Sequence, residues 1–200
     1  MRALYTSEEA MDPAFVFDER AVNHGLESAP MNAVSWSYIE SWLKRPDDIK
    51  KKVKALIMSQ LNTIEVSGRN LVVADVIVRY VMKTLQRDLE LLHKEGRDSF
   101  EILGRELKVR GEFCGQRFKG FIDRLDSFRE GQARVVDYKT GKVLEDDENI
   151  HDGNAEEIAD KIFHPDMMNW PKTALQFYIY DLLADSRPEV RGREIHNCVY

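Results

Sequence analysis

Apolar positions in the first half of the chain recur every three or four residues. Trp36, Ile39, Trp42 and Leu43 fall at helical spacing behind Ser35, which can cap, and Pro46 follows the end. Over residues 70–95 the stripe is strongest: Val73, Ile77, Tyr80, Val81, Leu85, Leu89 and Leu92 read as a core-facing helix, and Gly96 can terminate it. From Phe100 the period changes to two. Residues 101–109, 112–113, 117–128 and 133–139 read as strands, with hairpin turns at Cys114-Gly115-Gln116 and Glu130-Gly131-Gln132. A helix returns over 172–184 with Leu175, Ile179, Leu182 and Leu183, and residues 195–200 begin another strand. Between them runs an acidic loop, residues 144–170, unusually long for a compact domain. The pattern predicts an α/β (α+β) layered chain: a mixed, mostly antiparallel sheet flanked by helices, with a helical N-terminal half.

Composition narrows the class. Hydrophobic residues make up 43% and charged residues 32%, the balance of a globular protein. No apolar run approaches the roughly 18 residues of a membrane span, and the N-terminus lacks the layout of a secretory signal, so no membrane partner is expected. The two cysteines, Cys114 and Cys198, fit a reducing cytoplasm and cannot build a disulfide framework or a four-cysteine iron–sulfur cluster. The net charge of −6 is unevenly placed. Residues 145–160 hold eight acids and no Lys or Arg; without them 27 acids stand against 29 bases. Residues 101–142 carry ten bases and seven acids. Charge therefore neither requires nor forbids a nucleic-acid partner.

The chemistry lies in Lys119-Gly-Phe-Ile-Asp123-Arg-Leu-Asp126 and Val135-Val-Asp137-Tyr-Lys139-Thr-Gly141. Asp137 and Lys139 are two apart on a strand and share a face. Asp123 lies in the preceding strand, across a hairpin, and can stand beside Asp137. Two carboxylates and an ammonium on one face oppose apolar packing and need a reason. A divalent cation supplies one, since Mg²⁺ prefers one or two carboxylates with water and phosphate oxygens. Such a cation polarises a scissile phosphate and lowers the pKa of bound water, while Lys139 orients that water and stabilises negative charge. Asp-x-Lys alone also fits a surface ion pair, so the longer context decides: apolar residues before Asp137, a Gly-x-Ile-Asp-Arg strand upstream, and Gln176-Phe-Tyr-Ile-Tyr180 on a helix downstream.

Together these motifs resemble the RecB/AddB-like nuclease domain of the PD-(D/E)XK superfamily, over roughly residues 70–200. The resemblance implies a restriction-endonuclease-like core over residues 99–200, with residues 1–98 as the helical N-terminal part of a nuclease domain. It implies a metal-dependent DNA nuclease, an exonuclease working in repair or recombination, with Mg²⁺ or Mn²⁺ as cofactor, DNA as partner and a helicase domain or subunit in the parent protein. By position, Asp123 and Asp137 become metal ligands with the backbone carbonyl of Tyr138, and Lys139 the catalytic lysine. Gln176 and Tyr180, one helical turn apart, become active-site or substrate contacts, and Arg124 a substrate contact. For Tyr180 a core position is the alternative, and for Glu106, a site-lining acid, a surface ion pair.

One feature departs from the pattern. The resemblance implies a metal-ligating histidine in Gly-x-x-x-His-x-x-Leu-x-x-Leu-Tyr, and none of His24, His93, His151, His164 or His196 sits in that context. Met1-Arg-Ala-Leu-Tyr5 looks like the tail of such a helix, which implies a piece excised from a larger protein and binding metal weakly. Two further readings stay open: a nuclease-fold module that holds DNA without cutting, and an unrelated interaction domain.

Overall fold

The computed structural model describes residues 32–139, 150–151, 153–164, 170–185 and 187–200. The expectation for Met1-Arg-Ala-Leu-Tyr5 therefore lies outside the described residues, as does His24. Two compact units follow one another, Met1–Glu101 and Ile102–Tyr200. The described elements are β1 (Asn32–Ser35), α1 (Trp36–Leu43), α2 (Pro46–Leu61), α3 (Arg69–Glu95), β2 (Ser99–Phe113), β3 (Gln116–Ser127), β4 (Gln132–Asp137), α4 (Ala155–Ile162), α5 (Lys172–Asp185) and β5 (Glu194–Val199). Among the described residues five helices accompany a mixed, mostly antiparallel five-stranded sheet, consistent with the expected restriction-endonuclease-like fold.

In the first unit the helix ends follow from capping chemistry. The Ser35 hydroxyl accepts from the Tyr38 N–H at 3.2 Å and opens α1. Pro46 starts α2 where no N–H is needed, with Asp47 and Asp48 at the positive end of the helix dipole. Gly96, at φ 62°, stops α3, and Arg97 N–H reaches back to the Leu92 carbonyl. Only part of the α3 stripe is buried. Val81, Leu85, Leu89 and Leu92 are core, but Val73, Ile77 and Tyr80, which the periodicity assigned to the core, are 41%, 36% and 40% exposed. The apolar stripe is wider than the contact it makes, and its N-terminal half borders an open groove against Ile49, Val53, Leu56 and Leu61 of α2.

In the second unit β2 and β3 form a hairpin, and the sheet continues through β4 to β5. Residues expected as two strands, 101–109 and 112–113, belong to the single strand β2. β3 pairs antiparallel with β4, and β4 pairs parallel with β5 along all six residues of each. Leu107, Val109, Ile122, Leu125, Ala133 and Val135 meet Phe177, Tyr180 and Leu183 of α5 in one apolar cluster. On α5 Leu183 is buried, whereas Leu182 is 51% exposed. Apolar residues surround this helix, so periodicity does not select a face. The acidic segment is not all loop. It contains α4, whose first turn carries Glu156 and Glu157, favourable at a helix N-terminus, and whose Ile158 is 2% exposed. No helix among the described residues is long and apolar enough to cross a membrane.

The β2–β3 turn makes a testable claim. Cys114 and Gly115 both have positive φ, 50° and 73°, the signature of a two-residue type I′ turn. Cysteine has no side-chain compensation in that left-handed region, whereas asparagine tolerates it. Cys114→Asn should raise stability by on the order of 0.5 kcal/mol. Thermal unfolding followed by circular dichroism should show a Tm about 1–2 °C higher; a lower Tm would contradict the turn assignment.

Candidate active site

The register of β3 against β4 builds the site. Arg124 pairs with Val136, Leu125 with Val135 and Asp126 with Arg134. One step further along the same ladder, Asp123 stands opposite Asp137. Directly opposed residues share a face, with Cβ atoms about 4.5–5.5 Å apart. Asp137 is buried at 5% exposure, on the face covered by α5, and Asp123 is half-buried.

Gln176, on α5, binds three partners at once. Its Nε2 donates to Asp137 Oδ1 at 2.9 Å and to the Tyr180 hydroxyl at 2.8 Å. Its Oε1 accepts from Lys139 Nζ at 2.7 Å. The opposite amide orientation would set oxygen against the carboxylate and N–H against the ammonium, so this one is fixed. Lys139 Nζ also lies 2.7 Å from Asp137 Oδ2. That ion pair is out of line for a hydrogen bond, and Asp137 Oδ2 is left buried without one. Tyr180 is 8% exposed and lies against Gly120, where an added Cβ would meet the ring at 2.6 Å. The glycine thus admits the ring to the sheet, and Tyr180 braces Gln176 from the core side.

The end of β4 completes the arrangement. Tyr200 N–H donates to the Asp137 carbonyl at 3.0 Å, and Lys139 N–H donates to the Tyr200 carbonyl at 2.9 Å. A trans peptide turns the carbonyl of one residue opposite to the N–H of the next. The Tyr138 carbonyl therefore points away from β5, toward the strand that carries Asp123. Tyr138 N–H is on that side too, donating to Asp123 Oδ2 at 2.9 Å.

Arg124 does not join them. It is 2% exposed on the opposite face of β3, its Nε 2.7 Å from Asp126 Oδ2, with the Tyr138 and Tyr200 rings beside it. Strand alternation sends it away from Asp123, so the expected substrate contact is replaced by a structural ion pair. Arg134, which the sequence reading passed over, grips both oxygens of Asp126 at 2.7 and 2.9 Å. A count outward from Asp123–Asp137 would have found it, because Asp126 and Arg134 are opposed in the same register. Glu106 is exposed, has φ 47° and belongs to β2.

Burial raises the pKa of Asp123 above the ordinary carboxylate value. The Tyr138 N–H and Lys139 act against that shift, while the charges of Asp137 and Glu106 add to it. Among the described residues no group of three His, Cys, Asp or Glu side chains converges to hold a metal ion. The donors nevertheless suit a hard cation: two opposed carboxylates, one with a buried oxygen lacking a hydrogen bond, and a carbonyl turned toward them. A cation there would relieve the mutual repulsion of Asp123 and Asp137.

A family model described as the PD-(D/E)XK nuclease superfamily matches residues 39–195, a span that includes Asp123, Asp137, Lys139, Gln176 and Tyr180. Proteins of this kind are hydrolases acting on nucleic acids and generally use divalent metals. No curated protein and no solved structure matches the chain.

The Asp123 shift has a measurable consequence for the metal-free protein. With the folded pKa above the unfolded value of 3.8, the native state binds more protons within that window. Stability therefore falls as pH rises through it, and the loss is complete above the folded pKa. Asp123→Asn keeps an acceptor for the Tyr138 N–H and removes the charge. Its Tm in EDTA should exceed that of the wild type at neutral pH, and the gap should close as pH falls toward 3.8. A gap of the opposite sign would mean that the carboxylate stabilises the fold.

Proposed function

We propose that this chain, which belongs to the PD-(D/E)XK nuclease superfamily, is an active metal-dependent nuclease domain that hydrolyses phosphodiester bonds in DNA. The observation that carries the reading is the joint placement of Asp123 opposite Asp137 and of Lys139 beside Asp137, with Asp137 and Lys139 both tied to Gln176. An inert strand face has no need of two unshared carboxylates braced by a lysine and a glutamine. The Gly-x-Ile-Asp-Arg, Val-Asp-Tyr-Lys-Thr-Gly and Gln-x-x-x-Tyr motifs support a RecB/AddB-like domain, and with it exonuclease action in DNA repair or recombination, beside a helicase and in the cytoplasm.

In this reading Asp123, Asp137 and the Tyr138 carbonyl hold Mg²⁺ or Mn²⁺. When bound, the metal supplies Lewis-acid polarisation of the phosphate and acidifies water. Lys139 holds a positive charge where the phosphate gains negative charge, and its amine orients the attacking water. Gln176 keeps the Lys139 amine and the Asp137 carboxylate in one geometry, so that neither has to reorganise during the reaction. Tyr180 acts through Gln176.

Cleavage of linear and of closed circular DNA in Mg²⁺ tests the assignment, and cutting restricted to linear DNA identifies an exonuclease. Asp137→Asn and Lys139→Ala should each lower the rate by at least two orders of magnitude, from the roughly 3–4 kcal/mol that a group of this kind supplies. Both variants should stay folded by circular dichroism. Wild-type rates in either variant would contradict the mechanism. DNA binding without cleavage by the wild type would favour the non-cutting module.

A further inference from the structure

The β2–β3 hairpin has two unlike faces. Leu107, Val109 and Ile122 join the cluster under α5, and Phe113 and Phe118 pack against it. Gly111 and Gly120 lie on that inner face too, so close to Leu183 and Tyr180 of α5 that a Cβ at either would collide at 2.6 Å. The intervening residues Lys108, Arg110, Glu112, Arg117, Lys119 and Phe121 are all exposed on the outer face. The two-residue turn sets Phe113 against Gln116, and counting back opposes Glu112 to Arg117, Arg110 to Lys119, and Lys108 to Phe121.

This outer face is built unlike a merely solvated one. Arg110 and Lys119 are like charges set directly opposite, an arrangement that costs stability. None of the Lys108, Arg110, Arg117 and Lys119 side chains makes an ion pair or hydrogen bond among the described residues, although Glu112 is a neighbour. Phe121 stands among them at 57% exposure. Cations spaced along a strand, interleaved with an exposed aromatic ring, suit a polyanion that also carries flat π-faces. An acidic protein would satisfy the cations but leave the ring without a specific partner. A membrane would need more apolar surface than one phenylalanine offers.

We propose that the outer face of the β2–β3 hairpin is a track for a single nucleic-acid strand, with phosphates on Lys108, Arg110, Arg117 and Lys119 and an unpaired base stacked on Phe121. The inference rests on the nuclease reading for the choice of ligand, but binding is measured without cleavage.

Fluorescence anisotropy with a labelled oligothymidylate of about 15 nucleotides, in EDTA, provides the test. Arg110→Ala with Lys119→Ala should weaken binding at least tenfold and lessen the slope of log K against log salt by about 1.4, since two phosphate contacts are lost. Phe121→Ala should weaken binding at least fivefold with the slope unchanged, and Phe121→Trp should restore it. Lys51→Ala, at an exposed lysine of α2, should change nothing. Removing the opposed charges should not lower Tm, which keeps the binding result interpretable. Wild-type affinity in the hairpin variants overturns the track, and so does equal competition by polyglutamate or by phosphatidylserine vesicles. Loss of binding in the variants of a protein that never cuts DNA would sink the catalytic reading and leave the track standing.

Discussion

Two carboxylates face each other across neighbouring strands, and the surrounding structure is organised to hold them there. Asp123 and Asp137 are opposed by the β3–β4 register, and burial strengthens their repulsion. Left to itself such a pair would pull the strands apart or force a proton onto one member. Three groups restrain it without neutralising both charges: Tyr138 N–H on Asp123, and Lys139 and Gln176 on Asp137. The site therefore carries a local cost that the fold around it offsets, as expected where electrostatic readiness is built before a ligand arrives.

Much of that offset lies on the reverse face of the same strands. Asp126 and Arg134 are opposed three ladder positions from Asp123 and Asp137, joined by a buried bidentate pair, with Arg124 against the second side of Asp126. A slip of one residue would move Asp137 off the face of α5 and also break this pair. Removing one partner of a buried pair is far costlier than the pair's net worth, so its contribution lies in specifying the register. Apolar contacts of Leu125, Ala133 and Val135 with Phe177 and Leu183 add cohesion but distinguish neighbouring registers less sharply.

How much of this was readable in advance depended on how local its cause was. Ser35, Pro46 and Gly96 set helix ends by chemistry confined to one turn, and the structure places those ends accordingly. The neighbourhood of Asp123, Asp137 and Lys139 follows from strand alternation and a short turn. Alternation applied once more would have sent Arg124 to the buried face, yet its place in the motif suggested a substrate contact instead. α4 is hidden in the sequence by the density of acids around Ile158, whose charge masks the helical spacing. On α5 the Gln-x-x-x-Tyr spacing puts Gln176 and Tyr180 on one side, but the core face is not legible: Leu175, Phe177, Ile179, Leu182 and Leu183 surround the helix, and its docking on the sheet decides which of them are buried.

That docking also explains why glutamine, and no other type, fits position 176. The residue must give hydrogen bonds to a carboxylate and a hydroxyl while accepting one from an ammonium, all within reach of one side chain. A glutamate has the acceptor but would face Asp137 with like charge and lose both donors. A lysine would donate but add a second cation beside Lys139. A neutral histidine offers one donor and one acceptor, short by one partner. The primary amide alone combines two donors and an acceptor without charge. It couples the metal-side carboxylate to the lysine and leaves the net charge of the site to Asp123, Asp137 and Lys139. Gly120 then becomes part of the same device: without a Cβ it lets the Tyr180 ring approach the strand, and the ring holds the amide at the angle all three bonds require.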